Sequence, residues 1–330
     1  MSDERRSEVI RVLVEEHILT GAPVSSAVIL ERSNLTVSSA TIRGDLVALE
    51  RDGLAVQPHT SAGRIPTAAA YRYYVDHLAP RPLGKETLGR ISGFFDSVQV
   101  ELAKLLKETT ELLSDVTSMP SVVVAPGFSG EEVKALHLVQ LAEDQILTMV
   151  VTEAGRVIQQ RTHLEDPITP AELEEAERLI VPQLVGSRLG RTLELPEERL
   201  GSAPVPTQLA VRSALSVVDE VASAESEIYL GGTRQMAALW DNLDTVQRVL
   251  DVLEREAVIL DLVAPEEGTS IRIGEELPLE DVDMAVVSAG YESGRTSGTL
   301  GVIGPMRMDY RSVISAVEEI SRELGGRITS

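Results

Sequence analysis

A run of small hydroxyl residues followed by an arginine stands where a helix begins: Ser38, Ser39, Thr41 and Arg43. Hydroxyls at a helix N-terminus add to backbone N–H groups and the positive end of the helix dipole, a combination suited to phosphate oxygens. Arg43, in the first turn, has donors for a guanine edge or a phosphate. Each residue also has a plainer reading. Ser38 or Ser39 serves as the N-cap, and Arg43 pairs with Asp45 or Glu50 on its own helix. A second group follows at His59, Thr60, Gly63 and Arg64. There Gly63 permits a tight turn, and Arg64 sits where an arginine enters a minor groove or meets backbone phosphate. His59 and Thr60 support the loop or add a phosphate contact, the plainer reading of His59 being a turn histidine bonded to backbone.

The elements that carry these groups follow from periodicity. Ile42, Leu46 and Leu49 fall at i, i+4 and i+7, which predicts a helix over 39–51 with one buried face, stopped by Gly53. Upstream, Val9, Ile10, Leu13, Val14 and Ile18 predict a helix over 3–19 ended by Gly21, and a short helix over 27–32 follows, with Asn34 in a left-handed turn. Downstream come a strand over 54–57, a turn over 58–64 and a return at Ile65 and Pro66. Three helices and a small hairpin make a winged-helix plan with 39–51 as its recognition helix, so DNA is the first partner to consider. Thr67 caps a further helix, in which Tyr71, Tyr73 and Tyr74 read as packing residues, and the Ala79-Pro80-Arg81-Pro82 stretch marks a boundary.

The charge balance opposes strong non-specific binding to nucleic acid. The chain of 330 residues carries a net −22, yet residues 1–80 hold eight Arg and ten acids, leaving −20 for the remainder. An N-terminal segment that is not basic calls for a few well-placed contacts. The core is aliphatic, with 3% aromatic residues, and lone Trp240 reads as a packing residue. Absence of cysteine excludes disulfides and thiolate sites. No apolar run near Met1 resembles a signal peptide or membrane span, so a cytoplasmic protein is expected.

Beyond the boundary, Leu88, Ile91, Phe95, Val98, Leu102, Leu105, Leu112 and Val116 predict one long helix at about 86–118, as a core helix lying across a sheet or a coiled-coil seam. Strands are expected at 121–125, 133–141, 145–152 and 156–162, the last three as an antiparallel meander. Helices follow at 170–189 and 208–222, a strand at 227–230, helices at 234–255 and 257–263, three strands near 270–274, 284–289 and 298–303, and a helix over 310–324. Enzyme readings fare poorly. The five histidines show no metal-ligand pairing, and the acids from Glu172 to Glu177 read as a solvated helix face. Gly231-Gly232-Thr233 lacks the Walker lysine and reads as a strand-ending turn.

Four blocks carry a family resemblance: Val37-Ser38-Ser39-Ala40-Thr41-Ile42-Arg43; Gln57 to Thr67 with Tyr71-Arg72-Tyr73-Tyr74-Val75-Asp76; Ile228-Tyr229-Leu230-Gly231-Gly232-Thr233; and Gly301 to Tyr310. Through them the chain resembles the heat-inducible transcription repressor family (HrcA) from end to end. The resemblance implies an α+β protein of three parts. These are an N-terminal winged helix-turn-helix at 1–78, a GAF-like α/β sandwich domain from 79–130 and 226–330, and an inserted α+β dimerising domain at about 131–225. It implies a repressor of heat-shock chaperone operons that binds an inverted-repeat operator in double-stranded DNA as a homodimer. A GroEL-type chaperonin would keep it active and heat stress would inactivate it, with no cofactor, metal or catalytic residue and no membrane. The rival is a ligand-sensing repressor whose GAF-like domain binds a small molecule. The sequence departs from the family at Gly44, where members usually carry Asn, and in the loop at 290–296.

Overall fold

The N-terminal helices form where apolar stripes and caps coincide. In the computed structural model, which describes residues 3–59, 62–78, 81–97, 101–128, 130–190, 197–222, 226–240, 242–264, 268–279, 283–293 and 296–329, these are α1 (Asp3–Thr20), α2 (Ser26–Arg32) and α3 (Ser39–Arg51). Val9, Ile10 and Leu13 of α1 are fully buried with Ile29 of α2 and Ile42 and Leu49 of α3. Strands β1 (Ala55–Val56) and β2 (Ile65–Pro66) pair antiparallel, and Thr67 caps α4 (Ala68–Asp76). Asn34 does not take the left-handed turn expected of it; among the described residues the non-glycine with positive φ is Ser118. Gly63 is required for a reason other than turn geometry. A Cβ there would lie 2.3 Å from the Val24 carbonyl oxygen, because Val24 and Arg64 exchange both backbone hydrogen bonds, at 2.8 and 2.9 Å.

The expected long helix is two helices, α5 (Lys85–Ser97) and α6 (Leu102–Thr117), with extended backbone at Glu101. Both pack on the C-terminal helix, and the buried face of α6 is Leu105, Leu106, Thr109, Thr110, Leu113 and Ser114. Leu106 and Leu113 stand one position beyond the Leu105 and Leu112 of the heptad stripe, so tertiary packing rotated the face away from it. This is a core helix lying across a sheet.

After β3 (Ser121–Val124) come β4 (Val133–Ala142), β5 (Gln145–Thr152) and β6 (Val157–His163), a three-stranded antiparallel meander. Helices α7 (Pro170–Leu184), α8 (Glu197–Ser202) and α9 (Val205–Ala222) follow; α8 had no periodicity to announce it. The chain then returns as β7 (Ile228–Gly231), which pairs with β3 so that Leu230 faces Val122. One more helix was expected to be continuous from 234 to 255. It is instead split into α10 (Met236–Leu239) and α11 (Leu243–Leu253), because Trp240 between them is extended and its indole N–H donates to the Asp283 carbonyl at 2.8 Å. The remaining elements are α12 (Glu256–Leu262), β8 (Thr269–Ile273), β9 (Ala285–Ser293), β10 (Thr296–Gly304) and α13 (Tyr310–Thr329).

The second sheet has order β7-β3-β10-β9-β8, antiparallel throughout. Alternation along its strands divides the apolar side chains between two cores. Val123, Val287 and Val302 join α5, α6, α13 and the N-terminal helices. Val122, Val286 and Ile303 pack under α10, α11 and α12. The meander and α7–α9 hold a third core of their own around Leu136, Ile146, Val150, Ile180 and Val211. Gly232 marks where α6 crosses the end of β7, for a Cβ there would stand 1.8 Å from Ser114 Oγ. That close approach accounts for the Gly231-Gly232 pair without a phosphate.

Candidate nucleic-acid interface

Helix α3 places its core residues and its free residues on opposite sides. Ile42, Asp45, Leu46 and Leu49 are buried, whereas Ala40, Arg43, Gly44, Val47 and Arg51 are exposed. At 100° per residue these five fall within one arc of the helix. The arc contains no acid. Arg43 makes no ion pair with a described residue, so neither Asp45 nor Glu50 engages it, and the space beside Gly44 is open.

Structural arginines neutralise the acids of this helix from other elements. Arg5 of α1 meets Asp45, its Nε 2.9 Å from Oδ2, with the carboxylate side chain 7% exposed. Arg64 meets Glu50 at 2.8 Å. Arg6 meets Asp52 at 2.7 Å, and that bond holds the Asp52 carboxyl below its ordinary pKa. The near-zero charge of the first 80 residues therefore conceals an uneven surface. Arg5, Arg6 and Arg64 are lateral or turned inward against their acids, whereas on the outer arc Arg51 lies 3.5 Å from Asp52 and Arg43 has no ion pair among the described residues.

The hydroxyl residues divide in role. Ser38 is the N-cap, receiving the Thr41 N–H at 3.1 Å, and its Oγ lies 2.9 Å from Thr41 Oγ1. Ser39 is half-buried, its hydroxyl 3.2 Å from that of Ser26 at the start of α2. The residues from Pro23 through Ser26 read as the opening of the second helix, but the meeting of Ser26 with Ser39 was missed, although the signal was present: Val-Ser-Ser-Ala occurs at 24–27 and again at 37–40. In both copies the first serine caps a helix, and the second serines meet.

In the hairpin, His59 is exposed and its carbonyl, not its ring, closes the turn by accepting the Ala62 N–H at 2.8 Å. Thr60 lies outside the described residues. Arg64, expected to project outward, is turned inward with its side chain 12% exposed. Between hairpin and helix lies a cleft of about 400 Å³ lined by Ser26, Arg43, Leu46, Val47, Gln57 and Arg64.

The three-helix unit is fixed to the rest of the molecule by polar and aromatic contacts. Tyr71 of α4 packs against Tyr310 of α13 at 6.1 Å between ring centroids and bonds His17 Nδ1 through its hydroxyl at 2.8 Å. Arg72 pairs with Glu276, and Arg311 reaches Glu15 at 3.2 Å. Tyr71 and Tyr74 are buried, and Tyr73 is hydrogen-bonded to Ser7 at 2.6 Å. The tyrosines are packing residues. No described helix is long and apolar enough to cross a membrane.

Residues 103–314 match the family model described as the HrcA protein C-terminal domain. Across the whole chain, the "Heat-inducible transcription repressor HrcA" of Rhodococcus jostii is 36% identical, over 98% of this chain and 97% of that protein. The protein of the same name from Acidothermus cellulolyticus is also 36% identical, over 98% of each. A crystal structure described as that of a hypothetical protein superposes with a TM-score of 0.62 at 24% identity, covering 100% of this chain and 99% of the other, which shows a shared fold. With two full-length relatives above one-third identity and a family model spanning most of the chain, the chain belongs to the family of heat-inducible transcription repressors, HrcA.

Proposed function

We propose that the chain represses heat-shock chaperone operons by binding an inverted-repeat operator as a dimer, and that it is a regulator and not an enzyme. The acid-free outer arc of α3, with Arg43 in no ion pair among the described residues of a chain of net −22, carries this reading. On it, residues 1–78 are a winged helix-turn-helix, 79–130 with 226–330 are a GAF-like domain, and 131–225 are an inserted dimerising domain. Arg43, Ser39 and Thr41 meet DNA, with Ser38 as the cap, His59 and Thr60 near the backbone, and Arg64 holding the hairpin in place.

Self-association is supported by the outer face of the meander. Ala135, Val139, Leu147, Met149, Val151 and Val157 share the face opposite the helices with His137, Gln159 and Arg161, and Val139, Val157 and, at the bulge beside them, Leu141 are exposed. A two-fold pair would bury that face and present two copies of α3 to successive major grooves. Such a repressor works in the cytoplasm, with the DNA. A GroEL-type chaperonin maintains its active form, and heat withdraws it, because marginal stability turns a modest shift into a large loss of folded molecules.

The experiment is footprinting on chaperone-operon promoter fragments at rising temperature, with and without chaperonin and ATP. Protection of an inverted repeat that fades with heat and returns with chaperonin is expected. Absence of any protected site overturns operator binding, and indifference to chaperonin overturns the maintenance mechanism alone.

A further inference from the structure

We propose that Val47 is a base-reading residue, contacting the 5-methyl group of a thymine in the major groove beside the base or phosphate that Arg43 engages. The inference rests on the DNA-binding reading above and names the chemistry of one position within it.

Val47 is 53% exposed on a helix whose other large apolar residues, Ile42, Leu46 and Leu49, are buried. A single exposed valine on a protein surface needs no explanation. This one has a specific setting. It stands one turn after Arg43 and three residues after Gly44, on the arc from which every acid is absent. It lines the cleft between helix and hairpin together with Arg43 and Gln57. An apolar side chain there would hinder binding to any strongly hydrated partner surface, yet Arg43 beside it favours a polyanion, as does Arg51, which is 80% exposed although it lies 3.5 Å from Asp52.

Double-stranded DNA satisfies both conditions. Its backbone is anionic, and the apolar group that a base pair presents in the major groove is the thymine methyl, which side chains recognise by apolar contact. Gly44 contributes by absence. It stands at the edge of the arc far from Arg43, about 60° around the helix from Val47, with open space where a Cβ would be, so no side chain on that flank holds the helix backbone off the bases and one as short as valine can reach. A long side chain at 44 would hold the helix farther out.

The test is a cycle between side chain and methyl group. Duplexes that bind the full-length chain are first selected from a randomised library, and each thymine of the selected site is then replaced by deoxyuridine, which lacks only the methyl. Wild type and Val47→Ala are titrated against every duplex, with thermal unfolding confirming that the variant folds. At one thymine position per half-site, deoxyuridine should weaken wild type by about fourfold, as for one buried methyl. It should leave Val47→Ala unchanged. Equal losses for both proteins, or no position at which wild type senses the methyl, overturn the role of Val47 while operator binding stands. If wild type selects no duplex at all, the DNA-binding reading itself fails.

Discussion

Arg64 Nη2 lies 2.8 Å from Glu50 Oε2, joining the hairpin to the last turn of α3. The same Arg64 is held by its backbone to Val24 at the entry to α2. One residue thereby ties together the hairpin, the helix that carries Arg43 and the segment preceding α2, an arrangement suited to fixing the cleft between them.

Arg64→Ala and Glu50→Ala are expected to be coupled. A pair this enclosed on one side and open on the other contributes about 1 kcal/mol, so a double-mutant cycle in urea unfolding should give at least about 0.5 kcal/mol of interaction. Operator affinity should fall in Arg64→Ala while the salt dependence of binding keeps its slope. A slope reduced by about one would show instead that the guanidinium meets phosphate.

Arg43→Ala should weaken operator binding by about 1–3 kcal/mol and relax sequence choice at one position. The side chain is exposed and has no ion pair among the described residues, so its removal should leave the unfolding midpoint unchanged. Fluorescence titration against the selected operator and single-base variants checks both statements. Undiminished affinity would remove Arg43 from the interface.

Two glycine replacements should have opposite signs. Gly63→Ala puts a Cβ against the Val24 carbonyl and must push backbone from backbone, costing about 1–3 kcal/mol. Gly44→Ala meets open space and raises helix propensity, a gain of about 1 kcal/mol. Urea unfolding of the two variants beside wild type measures the difference.

Acid should weaken the junction through His17. Burial, followed by the nearby Arg307 guanidinium, holds its imidazole below the ordinary 6.5 in the folded chain. The unfolded chain therefore binds the extra proton between the two pKa values. The stability associated with neutral His17 is complete above about pH 6.5 and declines as pH falls toward the lower value. His17→Gln, which retains a partner for Tyr71, should show a smaller loss of urea midpoint between pH 7 and pH 5.5 than wild type.

Met149→Asp, at the centre of the open face of the meander and directly opposite His137 and Gln159, should yield a monomer without unfolding the chain. Light scattering coupled to size exclusion reads the mass. A dimer that survives this substitution and Leu147→Asp would place the two-fold interface elsewhere.

Local order was written in the sequence wherever it depended on neighbours along the chain. The stripe at Ile42, Leu46 and Leu49, the caps at Ser38 and Thr67, and the alternation along β4 and β5 all follow from side-chain period and short-range hydrogen bonding. The strands at 121–124 and 228–231 were legible as apolar segments, but their pairing, Val122 opposite Leu230 across more than a hundred residues, was decided by the tertiary structure. What the sequence could not decide was which surface each amphiphilic residue would meet. The apolar stripe from Leu88 to Val116 suited one helix, but two shorter helices pack on α13, with extended backbone at Glu101 before the second and Leu106 and Leu113 turned inward. Arg5, Arg6, Arg43 and Arg64 are chemically equal in the sequence. Only the tertiary structure sets Asp45, Asp52 and Glu50 beside three of them and leaves Arg43 outside, because an ion pair depends on separation in space, and those partners stand 40, 46 and 14 positions apart in the chain.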